Sequence, residues 1–151
     1  MSAILDILEI RDMVIEGKHA VMMKEIARIT SLKNIDIFIM AWKLGIIDNK
    51  RSELDVDKDE YVSIPRTVIK RNESEIEKLL NATALFLLDG DDSRDKIKNY
   101  TKINESHELA LDYRAKVMEV VRGGIEELYD LIQGRVDKNE YIDIEVLFQE
   151  Q

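Results

Sequence analysis

Residues 34–47 read NIDIFIMAWKLGII, and between Ile35 and Leu44 only Asp36 and Lys43 are polar. A helix of this composition is apolar almost all the way round. It can exist in water only with other elements packed on several of its faces. The ends carry matching signals: Asn34 caps the first turn, Asp36 suits the positive N-terminus, and Lys43 suits the C-terminal end. Gly45 permits a left-handed stop. The stretch therefore predicts a central core helix, around which the rest of the chain must be arranged.

The flanking segments supply the cover. Ala3–Glu16 places Ile4, Ile7, Leu8 and Ile15 against Asp6, Glu9, Asp12 and Glu16, which predicts an amphipathic helix closed by Gly17. Ala20–Thr30 predicts a second, with Met22, Met23, Ile26 and Ala27 inward and Lys24, Glu25 and Arg28 outward. Ser74 followed by Glu77 forms a capping box for a helix running through Leu88, stopped by Asp89–Gly90. Arg94–Lys102 forms a short basic helix. The last helix spans about Glu105–Gln133, carries Leu109, Tyr113, Val117, Val120, Gly124, Leu128 and Leu131 on one face, and ends at Gly134. Gly123–Gly124 inside it marks close helix packing, with a kink as the second reading.

Two hairpins complete the pattern. Leu54 and Val56 face Tyr61, Val62 and Ile64 across the polar turn Asp57–Glu60, and Pro65 ends the second strand and opens a short helix at Arg66–Arg71. VDKDEYVSI at Val56–Ile64 recurs as VDKNEYIDI at Val136–Ile144, identical at six of nine positions. A lone hairpin is marginal in water, so the two are expected to share one antiparallel sheet. The alternative is chance likeness of two charged turns. The fold class predicted is mainly α (α+β): a helical bundle around a central apolar helix, with a small antiparallel β element from two hairpins. One domain is expected over residues 1–151, with helices in residues 1–52 and 66–134 and the β element in residues 53–65 and 135–148.

Composition excludes several classes. There is no cysteine, so no disulfide and no thiolate metal site. No apolar run approaches the roughly 20 residues that span a bilayer, and no signal peptide is recognisable, so a cytoplasmic protein is expected. Charged residues make up 35% and proline occurs once, a mix compatible with a heat-adapted source. The net charge of −9 is uneven: residues 1–71 carry 12 acidic and 12 basic side chains, residues 72–151 carry 19 and 10. Phosphate binding must therefore come from local cations and not from bulk charge. The tail EVLFQ at Glu145–Gln149 matches a protease site used to remove tags, but Glu150 and Gln151 replace the expected Gly-Pro, and the tail is read as native.

Chemistry-bearing motifs are sparse. Asp55, Asp57 and Asp59 open like a calcium loop, but Glu60 stands where glycine should turn the chain and Arg66 where a bidentate glutamate should close it. A solvated acidic turn is the preferred reading, as it is for Asp89, Asp91 and Asp92. His19 and His107 each open a helix and have no ligand partner at metal-site spacing. No phosphate loop or nucleophile elbow is present. No enzyme, cofactor or metal is predicted. The order helix, KEIARITSL, helix, hairpin suits a winged helix-turn-helix, but the recognition position falls on Ile35–Leu44, which offers almost no donors to base edges. The cations available for phosphate are Lys24, Arg28 and Lys33, with Lys18, and Arg66, Lys70 and Arg71. Lys50 and Arg51 form a further pair, and Arg94, Lys96, Lys98 and Lys102 a further group. The first triplet, Lys24, Arg28 and Lys33, and the second, Arg66, Lys70 and Arg71, are the candidate nucleic-acid-binding residues.

In layout, the apolar helix Asn34–Ile47, the helix Ser74–Leu88, the long helix Glu105–Gln133 and the paired hairpins resemble the small subunit of an archaeal type I-A CRISPR Cascade complex. The resemblance implies a non-catalytic role in antiviral defence, helping hold target or displaced DNA in the R-loop. Partners would be other Cascade subunits, guide RNA and target DNA, with self-association and no membrane. In such assemblies base pairing supplies the sequence specificity and protein supplies backbone contacts. The alternatives are a winged-helix DNA-binding regulator and a helical protein–protein adaptor without nucleic acid.

Overall fold

The computed structural model describes residues 12–55, 59–87 and 92–137. They form a mainly helical bundle with a small two-stranded antiparallel sheet, in the order β1 (Met13–Glu16), α1 (Lys18–Thr30), α2 (Asn34–Ile47), β2 (Tyr61–Ile64), α3 (Arg66–Arg71), α4 (Glu73–Leu87), α5 (Ser93–Asn104) and α6 (His107–Asp137).

Helix α2 is the interior element its composition demands. Ile35, Ile37, Phe38, Ala41, Trp42, Leu44 and Gly45 are all buried. Phe38 and Trp42 meet edge to face with ring centroids 5.8 Å apart, an arrangement favoured by the ring quadrupoles. The buried indole N–H of Trp42 donates to Thr83 Oγ1 of α4 at 2.8 Å, and that hydroxyl donates to the Leu79 carbonyl at 2.6 Å. The expected ends shift slightly. Lys33, not Asn34, occupies the N-cap position, and no side chain caps it. Gly45 does not stop the helix, which runs on to Ile47; the positive φ falls at Asn49, at 51°.

Gly45 has a different task. A Cβ there would lie 2.2 Å from the Val120 carbonyl oxygen of α6, and one on Gly124 would lie 1.6 Å from that of Ala41. The missing side chains let the two backbones approach, as the close-packing reading of Gly123–Gly124 required. Helix α6 passes through both glycines and carries Ala110, Tyr113, Val117, Val120, Val121, Ile125, Leu128 and Ile132 into the core. Tyr113 donates its hydroxyl to the Leu80 carbonyl at 2.7 Å, which ties α6 to α4. Burial pushes its phenol far above the usual tyrosine range.

Several expectations are corrected. Residues Met13–Glu16 are a strand, not the end of a helix over 3–16; residues 3–11 lie outside the described residues. The physical reason is local alternation: Met13 and Ile15 point into the core while Val14 is exposed, and Ile15 and Val14 are β-branched. The partner of Tyr61–Ile64 is β1, in the register Met13↔Ile64 and Ile15↔Val62, and Leu54 is exposed coil. Opposed residues share a face in an antiparallel pair, so these four apolar side chains form one buried patch. Gly17, at φ 72° and ψ −142°, turns the chain out of β1, in a region that only glycine enters readily. Its N–H bonds Glu60 and its carbonyl accepts from Ala20, so it joins sheet to helix.

Helix α4 begins at Glu73, with the Asn72 carbonyl accepting from the Ile76 N–H, so Ser74 lies inside the first turn and does not cap it. Gly134 does not end α6; nothing lies within 4 Å of where its Cβ would be, and the helix continues to Asp137. Arg135–Asp137 are thus helical and not the start of a second hairpin. Residues 138–151, with the rest of that expected hairpin, and the stop at Asp89–Gly90 lie outside the described residues.

Candidate nucleic-acid interface

The first expected group, Lys24, Arg28 and Lys33, lies on the solvent side of α1 and at the entrance to α2. Lys24 is paired with Glu60, and Arg28 grips Glu25 one turn earlier, with Nε 3.0 Å from the carboxylate. The hydrogen bond from Arg28 holds the Glu25 carboxyl below its ordinary range and raises Arg28 in return. Two of these three cations are thus locally neutralised, while Lys33 is exposed and forms no ion pair to another described residue.

The second group, Arg66, Lys70 and Arg71, lies on α3. Pro65 sets up the start of that helix, and the Arg66 N–H donates to Asp12 at 3.1 Å. All three are exposed, and Lys70 and Arg71 sit in the last turn, where the helix dipole favours positive charge. The two groups stand on separate elements, one on α1 and the turn after it, the other on α3.

Helix α5 presents a third set. Asp92 caps it by accepting the Asp95 N–H at 3.0 Å. Its inner side is anchored by Ile103, which is buried, and by Tyr100, edge to face with Tyr113 at 5.9 Å. Lys96 donates to the Leu85 carbonyl at 2.8 Å. What remains outside is Arg94, Ile97, Lys98, Thr101 and Lys102, with the half-buried Asp95 one turn before Lys98 at the edge of that face.

The interior holds a polar cluster that no motif announces. His19, fully buried, places Nε2 3.3 Å from a Glu126 carboxylate oxygen. In the neutral ring Nε2 carries the proton for this contact, and Nδ1 is buried without a partner. Burial lowers the His19 pKa despite Glu126. Burial alone would raise Glu126, but hydrogen bonds from Ser52 and His19 prevail and hold it low. The Ser52 N–H donates to the Glu119 carbonyl and Arg122 Nε donates to the Ser52 carbonyl, both at 2.9 Å. Gly123 permits this approach, since a Cβ would lie 2.2 Å from the Lys50 carbonyl oxygen. The cluster clips the chain after α2 onto α6. His19 and Glu126 are 107 positions apart, so only tertiary structure brings them together.

Asp55 accepts the Lys18 N–H at 2.7 Å, while Asp57 and Asp89–Asp91 lie outside the described residues. Among the described residues no group of three or more His, Asp and Glu is arranged to hold a metal ion. A groove of about 620 Å³ between β1 and α6 mixes Glu16, Glu53 and Glu119 with Arg114 and Arg122, and none of the six expected cations lines it. The helix in the recognition position of a winged helix is α2; seven of its fourteen residues are buried, and its Lys43 is paired with Glu75. No family model, curated protein or solved structure matches the chain. Its own surface must therefore carry any functional reading. Among the described residues no helix is long and apolar enough to cross a membrane.

Proposed function

We propose that this chain is a non-catalytic subunit that holds a nucleic-acid strand by its backbone inside a larger assembly, a guide-RNA effector of the Cascade type. The observation that carries the reading is that Lys33, Lys70, Arg71, Arg94, Lys98 and Lys102 each stand exposed and without an ion pair to another described residue, on a protein of net charge −9. Such cations serve backbone contact, which is blind to sequence. The buried position of α2 favours this over duplex reading by a winged helix. The His19–Glu126 pair is closed from solvent at His19, which supports a structural use. The net charge opposes binding by the free protein, so affinity alone should be weak and strongly salt-dependent.

The test is to reconstitute the effector assembly with and without the subunit and to follow dissociation of the target strand. Slower dissociation in its presence is expected, and charge reversal at Arg66, Lys70 and Arg71, or at Lys24, Arg28 and Lys33, should reduce the gain. Equal dissociation, with failure to co-purify with the guide-bound subunits, would overturn the reading.

A further inference from the structure

We infer that the outer face of α5, with Arg94, Lys98 and Lys102 in a row, is the surface that takes the phosphodiester backbone of a single-stranded nucleic acid. The inference rests on the strand-holding reading above and names its site. In an α-helix, residues four apart lie on one face about 6 Å apart along the axis, so the three cations form a row about 12 Å long. All three are exposed, and the other exposed positions between them are Ile97 and Thr101. The Thr101 hydroxyl donates back to the Ile97 carbonyl at 3.1 Å, leaving an uncharged strip beside the row. Residues 72–151 hold 19 acidic side chains and 10 basic, yet four of the ten fall within 94–102. Its carboxylate neighbours are Asp92 at the cap, the half-buried Asp95 one turn before Lys98, and exposed Glu105 beyond the last turn.

The competing cation groups are weaker candidates on the same physical grounds. On α1, Lys24 and Arg28 are occupied by Glu60 and Glu25. On α3, six residues allow only Arg66 and Lys70 to share a face, and Arg71 points elsewhere. On α5 the remaining lysine, Lys96, is turned inward to Leu85 and helps hold the helix in place. The row is therefore preorganised: it is carried on a capped helix and held from behind by Tyr100 against Tyr113. Evenly spaced cations suit a polymer that bears one charge per repeat. An acidic protein segment would present carboxylates at spacings set by its own fold.

The experiment measures binding of the full chain to labelled oligo-dT by fluorescence anisotropy over a series of salt concentrations. Arg94→Gln, Lys98→Gln and Lys102→Gln together should weaken low-salt binding at least tenfold. They should also flatten the slope of log K against log salt by about 2, since each lost contact to a single strand removes about 0.7. Lys98→Gln alone should flatten it by about 0.7, which gives a readout should the triple variant lose its fold. Arg94→Lys, Lys98→Arg and Lys102→Arg should restore binding, and Lys78→Gln with Lys116→Gln, exposed lysines outside every candidate group, should stay within twofold of wild type. Wild-type binding with an unchanged α5 variant would overturn this site and leave the strand-holding reading intact. No wild-type binding to oligo-dT even at low salt would overturn both. Unchanged oligo-dT binding by the α5 variant, with loss of a protein from the assembly, would assign the face to an acidic protein partner and overturn the inference.

Discussion

Gly124 of α6 meets the backbone of Ala41 of α2 so closely that an added Cβ would lie 1.6 Å from the Ala41 carbonyl oxygen. The obstacle is backbone, which cannot swing aside as a side chain can. Gly124→Ala must therefore separate the two helices that share the core, and overpacking of this kind typically costs about 1–3 kcal/mol or more. A loss of about 3 kcal/mol in urea unfolding is expected. Gly134→Ala is the control: it lies in open space in the same helix and should stabilise by up to about 1 kcal/mol.

Trp42 and Thr83 give a second prediction. Trp42→Ala should cost about 3–5 kcal/mol, the usual range for emptying a buried aromatic site. Thr83→Val should cost about 1–3 kcal/mol, because it leaves the indole N–H buried without its acceptor. Equilibrium denaturation checks both, and a Trp42→Ala loss below about 1 kcal/mol would contradict the central position of α2.

Gly17 holds φ 72° and ψ −142° between β1 and α1. Gly17→Ala should destabilise by about 1–3 kcal/mol, the usual cost of holding a side chain in such a backbone region. Thermal unfolding of the variant measures it.

His19 sets a pH dependence. Its pKa is lowered from 6.5, first by burial, against the opposing pull of Glu126 and with small help from Lys18 and Arg122. Between the folded pKa and 6.5 the unfolded chain binds more protons, so stability is complete above 6.5 and falls as pH drops through that window. Glu126 and Glu75, held below 4.5, add losses only at lower pH. Wild type should unfold at lower denaturant at about pH 5.5 than at about pH 7.5, and His19→Gln should reduce that difference. An equal pH difference in the variant would show that His19 does not set it.

The elements whose signals are local were legible in the residues. An all-round apolar run makes α2 a core helix whatever surrounds it, and α1, α3, α4 and α5 follow from amphipathic spacing, a proline start and polar breaks. The face of α6 was legible in part, because Tyr113, Val117, Val120 and Leu128 repeat at helical steps and are buried while Leu109 is exposed; its end at Gly134 was not legible, because a helix tolerates one glycine at small cost. The six candidate cations were identifiable as types, but their partners were not. Lys24 is matched by Glu60 across 36 positions, whereas Arg94, Lys98 and Lys102 are set apart by which side of α5 faces Tyr113 and Leu85.

What tertiary structure alone decided is whatever depends on residues distant in the chain. Met13–Glu16 carries a helix-compatible spacing when read with the residues before it, and becomes a strand because Tyr61–Ile64 offers hydrogen bonds and an apolar face in register. The repeat of Val56–Ile64 in Val136–Ile144 pointed to the second hairpin as its sheet partner, whereas Tyr61–Ile64 pairs with Met13–Glu16; pairing energy comes from cross-strand packing, which a single segment does not encode. Gly45 reads as a helix stop in isolation and is a contact point because α6 crosses there. The His19–Glu126–Ser52 cluster exists only once α1, α6 and the chain after α2 have met. Local periodicity determined the helices, and long-range burial and hydrogen bonding decided the sheet, the glycine crossings and which charges remain exposed.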